Sequence, residues 1–184
     1  MKKTVFETAL DMADEVINEV SPAMLRRPTP CTEWDLGQLL NHLYNELAWV
    51  PELAAGKTIA QVGAALDGDL VGADPRQAWQ SYAATAREAA SKTPPEKVVH
   101  LSYGNVPAQS YFDEMAADIT VHTWDVAQSL GLKDFHIDNA LAEAIYNQTK
   151  KDIADWRKAG LVGEEKPVAA GATAEAKLIA LFGR

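Results

Sequence analysis

Residues 108–131 read AQSYFDEMAADITVHTWDVAQSLG, and this stretch decides the fold class. Its apolar residues recur every three or four positions and form one stripe: Met115, Ile119, Val126 and Leu130. That spacing predicts a long amphipathic helix over 108–130, and the glycine at 131 suits the position just after a helix. His122 occupies a place on the stripe that would otherwise suit leucine or isoleucine.

Similar stripes on either side predict further helices. We expect them at 4–20, from Thr32 to between Pro51 and Gly56, at 75–92 with Asp74 as the N-cap, at 138–159 and at 173–182. Thr32 is the expected N-cap of the second helix, with Asp35 in its first turn. Residues 56–73 predict a long loop with room for a helical turn, and residues 97–106 a short hairpin or extended segment. The pattern is typical of an all-α protein: one domain over 1–184, formed by an antiparallel four-helix bundle with an extra C-terminal helix.

Composition narrows the class of protein. The 184 residues are 47% hydrophobic, enough for one ordinary domain, and the net charge of −9 argues against a nucleic-acid partner. The single cysteine, Cys31, excludes an internal disulfide and a zinc site made of several thiolates. The sequence shows neither a secretory leader pattern nor an apolar run near the ~18 residues of a membrane span. We therefore expect a cytoplasmic protein without a membrane partner.

The candidate site begins on the helix at 108–130. Asp118 precedes His122 by four residues, so a carboxylate and an imidazole share one face that points towards the interior. A buried carboxylate needs either a cation or a hydrogen-bond network, and the spacing alone leaves both open. A metal site would need a third ligand from another helix. His42 is the best placed of the remaining histidines, because His100 and His136 fall in predicted loops.

Neighbouring residues leave several alternatives open. Glu46 lies four residues after His42, so it could be the carboxylate ligand or a solvated surface charge. Asp125 could orient a metal-binding side chain without binding the metal itself, or it could be a surface charge. Cys31 near a helix start could be an activated nucleophile, although no histidine lies near it in sequence.

Two segments together resemble a known family. They are CTEWD at 31–35 followed by LLNHL at 39–43, and DITVHTWDVA at 118–127. Both resemble the metal-binding N-terminal domain of mycothiol-dependent maleylpyruvate isomerases, a branch of the DinB-like superfamily, and the tail at 167–184 is similar to stand-alone actinobacterial relatives. The resemblance implies a DinB-like four-helix bundle with a metal held by His42, Asp118 and His122. The family acid is usually glutamate, and Asp118 is one methylene shorter.

The resemblance also implies a function. A divalent ion, zinc with nickel, iron or cobalt as alternatives, would ionise mycothiol or a similar small thiol for isomerase or thiol-transferase chemistry. The isomerases carry a further C-terminal domain for which this chain leaves too few residues, so the substrate stays open. The alternatives are a metal- or ligand-binding module without turnover, and a structural bundle in which Asp118 and His122 are only hydrogen-bonded. The expected partners are a small molecule or thiol and a second copy of the chain.

Overall fold

The computed structural model describes residues 3–184 and is mostly helical, as the sequence predicts. Within that range, eight α-helices form: α1 Val5–Ile17, α2 Leu36–Ala54, α3 Ile59–Val62, α4 Pro75–Lys92, α5 Ala108–Leu130, α6 Asn139–Thr149, α7 Ile153–Lys158 and α8 Ala174–Leu181. One hairpin of β1 (Val98–Leu101) and β2 (Gly104–Pro107) precedes α5, which confirms the expected extended segment. A single 3-10 turn, Pro22–Met24, lies between α1 and α2.

The four long helices close a ring around a shared core. Helix α1 packs against α5 and α4, and α2 packs against the same two helices. Their apolar stripes are buried in one cluster, which includes Leu10, Leu40, Trp79 and Ile119. Helices α1 and α4 run in opposite directions, since Trp79 Nε1 donates to Asp14 at 2.7 Å and Arg87 pairs with Asp11 at 3.0 Å. The α2–α5 contact in this ring carries the candidate site.

A second apolar cluster joins α6 and α8 to α5. Leu141 and Ile145 of α6 and Leu178 of α8 are buried in it together with Ala117 and Val121 of α5. Helix α8 packs against α6, and the cluster links this pair to the helix that carries Asp118 and His122. This docking brings the end of α8 close to the candidate site.

One predicted helix end and one predicted helix start are wrong. Helix α1 ends at Ile17, not at residue 20. Helix α2 begins at Leu36 because Asp35, not Thr32, is its N-cap. The Asp35 carboxylate accepts from the Gln38 backbone at 2.9 Å, and the Gln38 side chain accepts from the Asp35 backbone at 3.0 Å. Two reciprocal bonds satisfy more of the free N–H groups at the helix start than a lone threonine would.

The helix predicted at 138–159 is also wrong, because it divides into α6 and α7 with a turn at 150–152. The Thr149 hydroxyl donates to the carbonyl of Ile145, and such a bond competes with regular helix geometry. The apolar pattern continues across the break because Ile153 and Trp156 pack in the same cluster as α6. The loop predicted at 56–73 does contain a helical turn, α3.

Among residues 3–184, none of the helices combines the length and the apolar character that crossing a membrane would require.

Candidate metal centre

Three side chains meet between α2 and α5. One ligand atom from each of His42, Asp118 and His122 lies within 4.8 Å of the other two. His42 Nε2 is 3.3 Å from each carboxylate oxygen of Asp118, and His122 Nε2 is 3.5 Å from Oδ1 of the same residue. The structure thus brings together the three residues that the sequence and the resemblance selected.

The cluster fits a divalent metal ion. Tetrahedral ligands at about 2.1 Å from an ion are separated by about 3.4 Å, which matches the nitrogen–oxygen distances here. Within the described chain, Oδ2 of Asp118 is buried and takes part in no hydrogen bond. A buried carboxylate oxygen without a donor is costly unless a cation neutralises it, and a bound metal or a protonated His42, 3.3 Å away, can do so. Two imidazoles and one carboxylate suit zinc and leave a coordination position open.

Electrostatics around the cluster favour positive charge. Burial lowers the pKa of His42, but Asp118 and then Glu46 outweigh it and raise that pKa to about 8. Burial raises the pKa of Asp118, but His122 and His42 outweigh it and bring it below its ordinary value. Below about pH 8 and without a metal, the protonated imidazole of His42 therefore supplies a positive charge beside Asp118.

Asp125 lies beside Nδ1 of His122, whereas Asp118 lies beside Nε2 of the same ring. Its side chain is fully buried, so the surface-charge alternative is wrong, and its Oδ2 is 3.1 Å from His122 Nδ1. Burial raises the pKa of Asp125, but His122 and Arg184 outweigh it and keep the group ionised. An ionised carboxylate only accepts, so Nδ1 of His122 carries a proton that it donates to Asp125, and Nε2 is the ring nitrogen on the side of Asp118.

Glu46 faces the other nitrogen of His42. Its Oε1 is 3.9 Å from His42 Nδ1, whereas His42 Nε2 faces Asp118. Burial, and then the charge of Asp118, raises the pKa of Glu46 to about 7. Glu46 thus stands outside the three-residue cluster and is only partly exposed.

Cys31 forms a second group with His122 and Asp125. Its Sγ lies 3.2 Å from Asp125 Oδ2 and 2.7 Å from Nη2 of Arg184, a residue that the sequence reasoning did not identify. Burial, and then Asp125, raises the pKa of the Cys31 thiol to about 12. The thiol therefore stays protonated, and the suggestion of an activated nucleophile is not supported.

A cleft of about 750 Å³ opens beside His42. Trp34 lines it, and the Trp34 ring centroid lies 5.0 Å from the ring of His42 and 5.9 Å from that of His122. The opposite wall is the loop at 67–72, which Asn41 of α2 holds by a bond to the Gly68 carbonyl at 3.1 Å. A small molecule in this cleft would lie against the imidazole ring of His42, one of the three clustered residues.

The two remaining histidines lie elsewhere. His100 is in β1 rather than in a loop, and its Nδ1 is 2.8 Å from the Asn105 side chain. His136 is exposed in the loop before α6, with its Nδ1 3.3 Å from Glu175.

Comparison with known proteins extends these observations. Two Mycobacterium tuberculosis proteins, each described as uncharacterized, are 30% identical to the chain over 126 residues. Each match covers 68% of this chain and 65% of the relative, so the chain spans just under two thirds of these relatives' length. No solved structure gives a significant match. Residues 6–127, which contain all three clustered side chains, match the mycothiol maleylpyruvate isomerase N-terminal domain, and the chain therefore belongs to that family.

Proposed function

We propose that this chain binds one divalent metal ion through His42, Asp118 and His122 and acts with a small thiol in isomerase or thiol-transfer chemistry. The observation that carries the proposal is the buried Oδ2 of Asp118, which takes part in no hydrogen bond within the described chain and faces an imidazole nitrogen 3.3 Å away. The metal, with zinc as the first candidate, would lower the pKa of a bound thiol. The name of the family supports mycothiol, or a thiol like it, as the ligand.

The fold supports the same proposal. We infer that the ring of α1, α5, α2 and α4 is an antiparallel DinB-like four-helix bundle, and that α6–α8 complete one domain with it. Lys97, before α5, donates to the carbonyl of Ala54 at the end of α2, whereas His42 near the start of α2 meets His122 late in α5. Helices α2 and α5 therefore run in opposite directions, and each contributes ligands to a site between them.

Asp125, Trp34 and the cleft would have different roles at such a site. Asp125 holds the proton on Nδ1 of His122, so that Nε2 is free to bind. Trp34 covers the two imidazoles from the side of the cleft and limits the approach of water. The cleft beside His42 favours an enzyme over a binding module, because it gives a second reactant access to the site.

The test is a spectroscopic titration of cobalt-loaded protein. We expect a small thiol to produce a sulfur-to-cobalt charge-transfer band in the near ultraviolet, and the alcohol of the same skeleton to produce none. Asp118→Asn should lose the cobalt and the band, whereas His136→Ala, a change at an exposed histidine outside the cluster, should keep both. Cobalt bound in stoichiometric amount without any thiol band would overturn the thiol chemistry and leave a metal-binding module.

A further inference from the structure

Arg184 makes the most complete set of contacts with the buried carboxylate of Asp125. Its Nε donates to Oδ1 at 2.9 Å and its Nη2 donates to Oδ2 at 2.8 Å, a two-pronged contact with a side chain that has no exposure. Oδ2 also accepts from His122 Nδ1 at 3.1 Å and from the Cys31 thiol at 3.2 Å. Such a fork fixes the plane of a carboxylate as well as its position.

The turn at the C-terminal end of α8 positions Arg184. The backbone N–H of Gly183 donates to the carbonyl of Ala180 at 3.0 Å, and that of Arg184 donates to the carbonyl of Ile179 at 3.1 Å. This pair of bonds, with Gly183 at φ +80°, is the Schellman arrangement that ends many helices. A Cβ on Gly183 would lie 2.9 Å from the backbone of Gly163, so only glycine allows this close approach. The sequence of α8 thus sets the direction in which Arg184 leaves the helix.

We propose that Arg184 is a positioning residue for the metal centre, which holds Asp125 in the orientation that aims Nε2 of His122 at the ion. The inference rests on the proposed function, because it assumes that His122 is a ligand. Arg184 lies outside residues 6–127, the part of the chain that matches the family domain. Among the described residues it makes no hydrogen bond to Asp118 or His42, so it contacts the cluster through Asp125 and His122, and its charge also helps to lower the pKa of Asp118.

The chain offers a matched control. Arg157 anchors the same C-terminal segment, with Nη2 donating to the Leu181 carbonyl at 2.7 Å and Nε to the Gly163 carbonyl at 3.1 Å, but it does not contact Asp125. We expect Arg184→Met to weaken zinc binding by about tenfold, the lower end of the range for losing a direct partner of a ligand, because Arg184 lies one contact further out. Arg157→Met should leave zinc affinity within about threefold of wild type by the same reasoning. Arg184→Lys keeps the positive charge but cannot make the two-pronged contact with Asp125. Its zinc affinity should lie between those of Arg184→Met and Arg157→Met.

A second measurement uses metal-free protein and keeps this inference separate from the proposed function. Nitrogen-15 NMR at about pH 9, well above the ordinary pKa of a histidine of about 6.5, shows which ring nitrogen of His122 carries the proton. We expect the Nδ1–H form in wild type and in Arg157→Met, and a mixture of the two forms in Arg184→Met. Failure of wild type to bind zinc would refute the proposed function alone. Equal zinc affinity in the two methionine variants, or an unchanged Nδ1–H form in Arg184→Met, would overturn the positioning role.

Discussion

Zinc binding should depend steeply on pH between 7 and 9, because a proton on His42 competes with the metal. Asp118 and Glu46 raise the pKa of His42 to about 8 against the opposing effect of burial. The unprotonated fraction of such a group is about 10% at pH 7 and about 90% at pH 9, so zinc should bind about tenfold more tightly at pH 9. The sign follows from the raised pKa: affinity rises as pH increases through 8 and then levels off.

The assay is competition with a chromophoric chelator, corrected for titration of the chelator and hydrolysis of zinc. Calorimetry in two buffers of different ionisation heat should show about 0.9 proton released per zinc at pH 7 and about 0.1 at pH 9. His136→Ala removes a histidine that lies outside the site and should show the same dependence. Equal affinities at pH 7 and pH 9, with no proton release at pH 7, would refute the reasoning.

Three further predictions follow from single contacts. Asp118→Asn should abolish stoichiometric zinc binding without unfolding the protein, because it removes the only carboxylate in the three-residue cluster. A loss of the helical circular dichroism signal in this variant would contradict the expected separation of metal binding from folding. Gly183→Ala should cost about 1–3 kcal/mol of stability and also weaken zinc binding, whereas Gly171→Ala, at φ +82° in open space, should affect stability alone. Asp35→Ala should cost about 1 kcal/mol in chemical denaturation through loss of the α2 N-cap, with metal content unchanged.

Periodicity in the sequence was sufficient for the helical class, whereas the choice of Asp118 over Glu46 as the third clustered residue needed the family resemblance. The stripes of α2 and α5 placed His42 and His122 on inward faces, and helical spacing placed Asp118 beside His122. The start of α2 was missed because Thr32 and Asp35 are both good caps, and the choice depends on a reciprocal bond with Gln38. The break after Thr149 was missed because the apolar pattern continues through it.

The partners of Asp125 lay beyond sequence reasoning. Arg184 is 59 residues away in the chain, and its contact with Asp125 requires the docking of α8 on α6 and of α6 on α5. Nothing in local spacing reports that docking. The sequence does place a glycine at 183, just after the helix expected at 173–182, but a glycine there indicates a helix end rather than a partner.

The central claim is that His42, Asp118 and His122 hold one metal ion. Elemental mass spectrometry of untagged protein purified without chelator tests it most directly, with wild type measured beside His42→Ala and His122→Ala. We expect about one divalent ion per chain in wild type and a loss of that ion in both variants, since two remaining ligands hold zinc poorly. Equally low metal in all three proteins, with no recovery when zinc is returned to wild type, would contradict the account and leave the cluster as a hydrogen-bonded group.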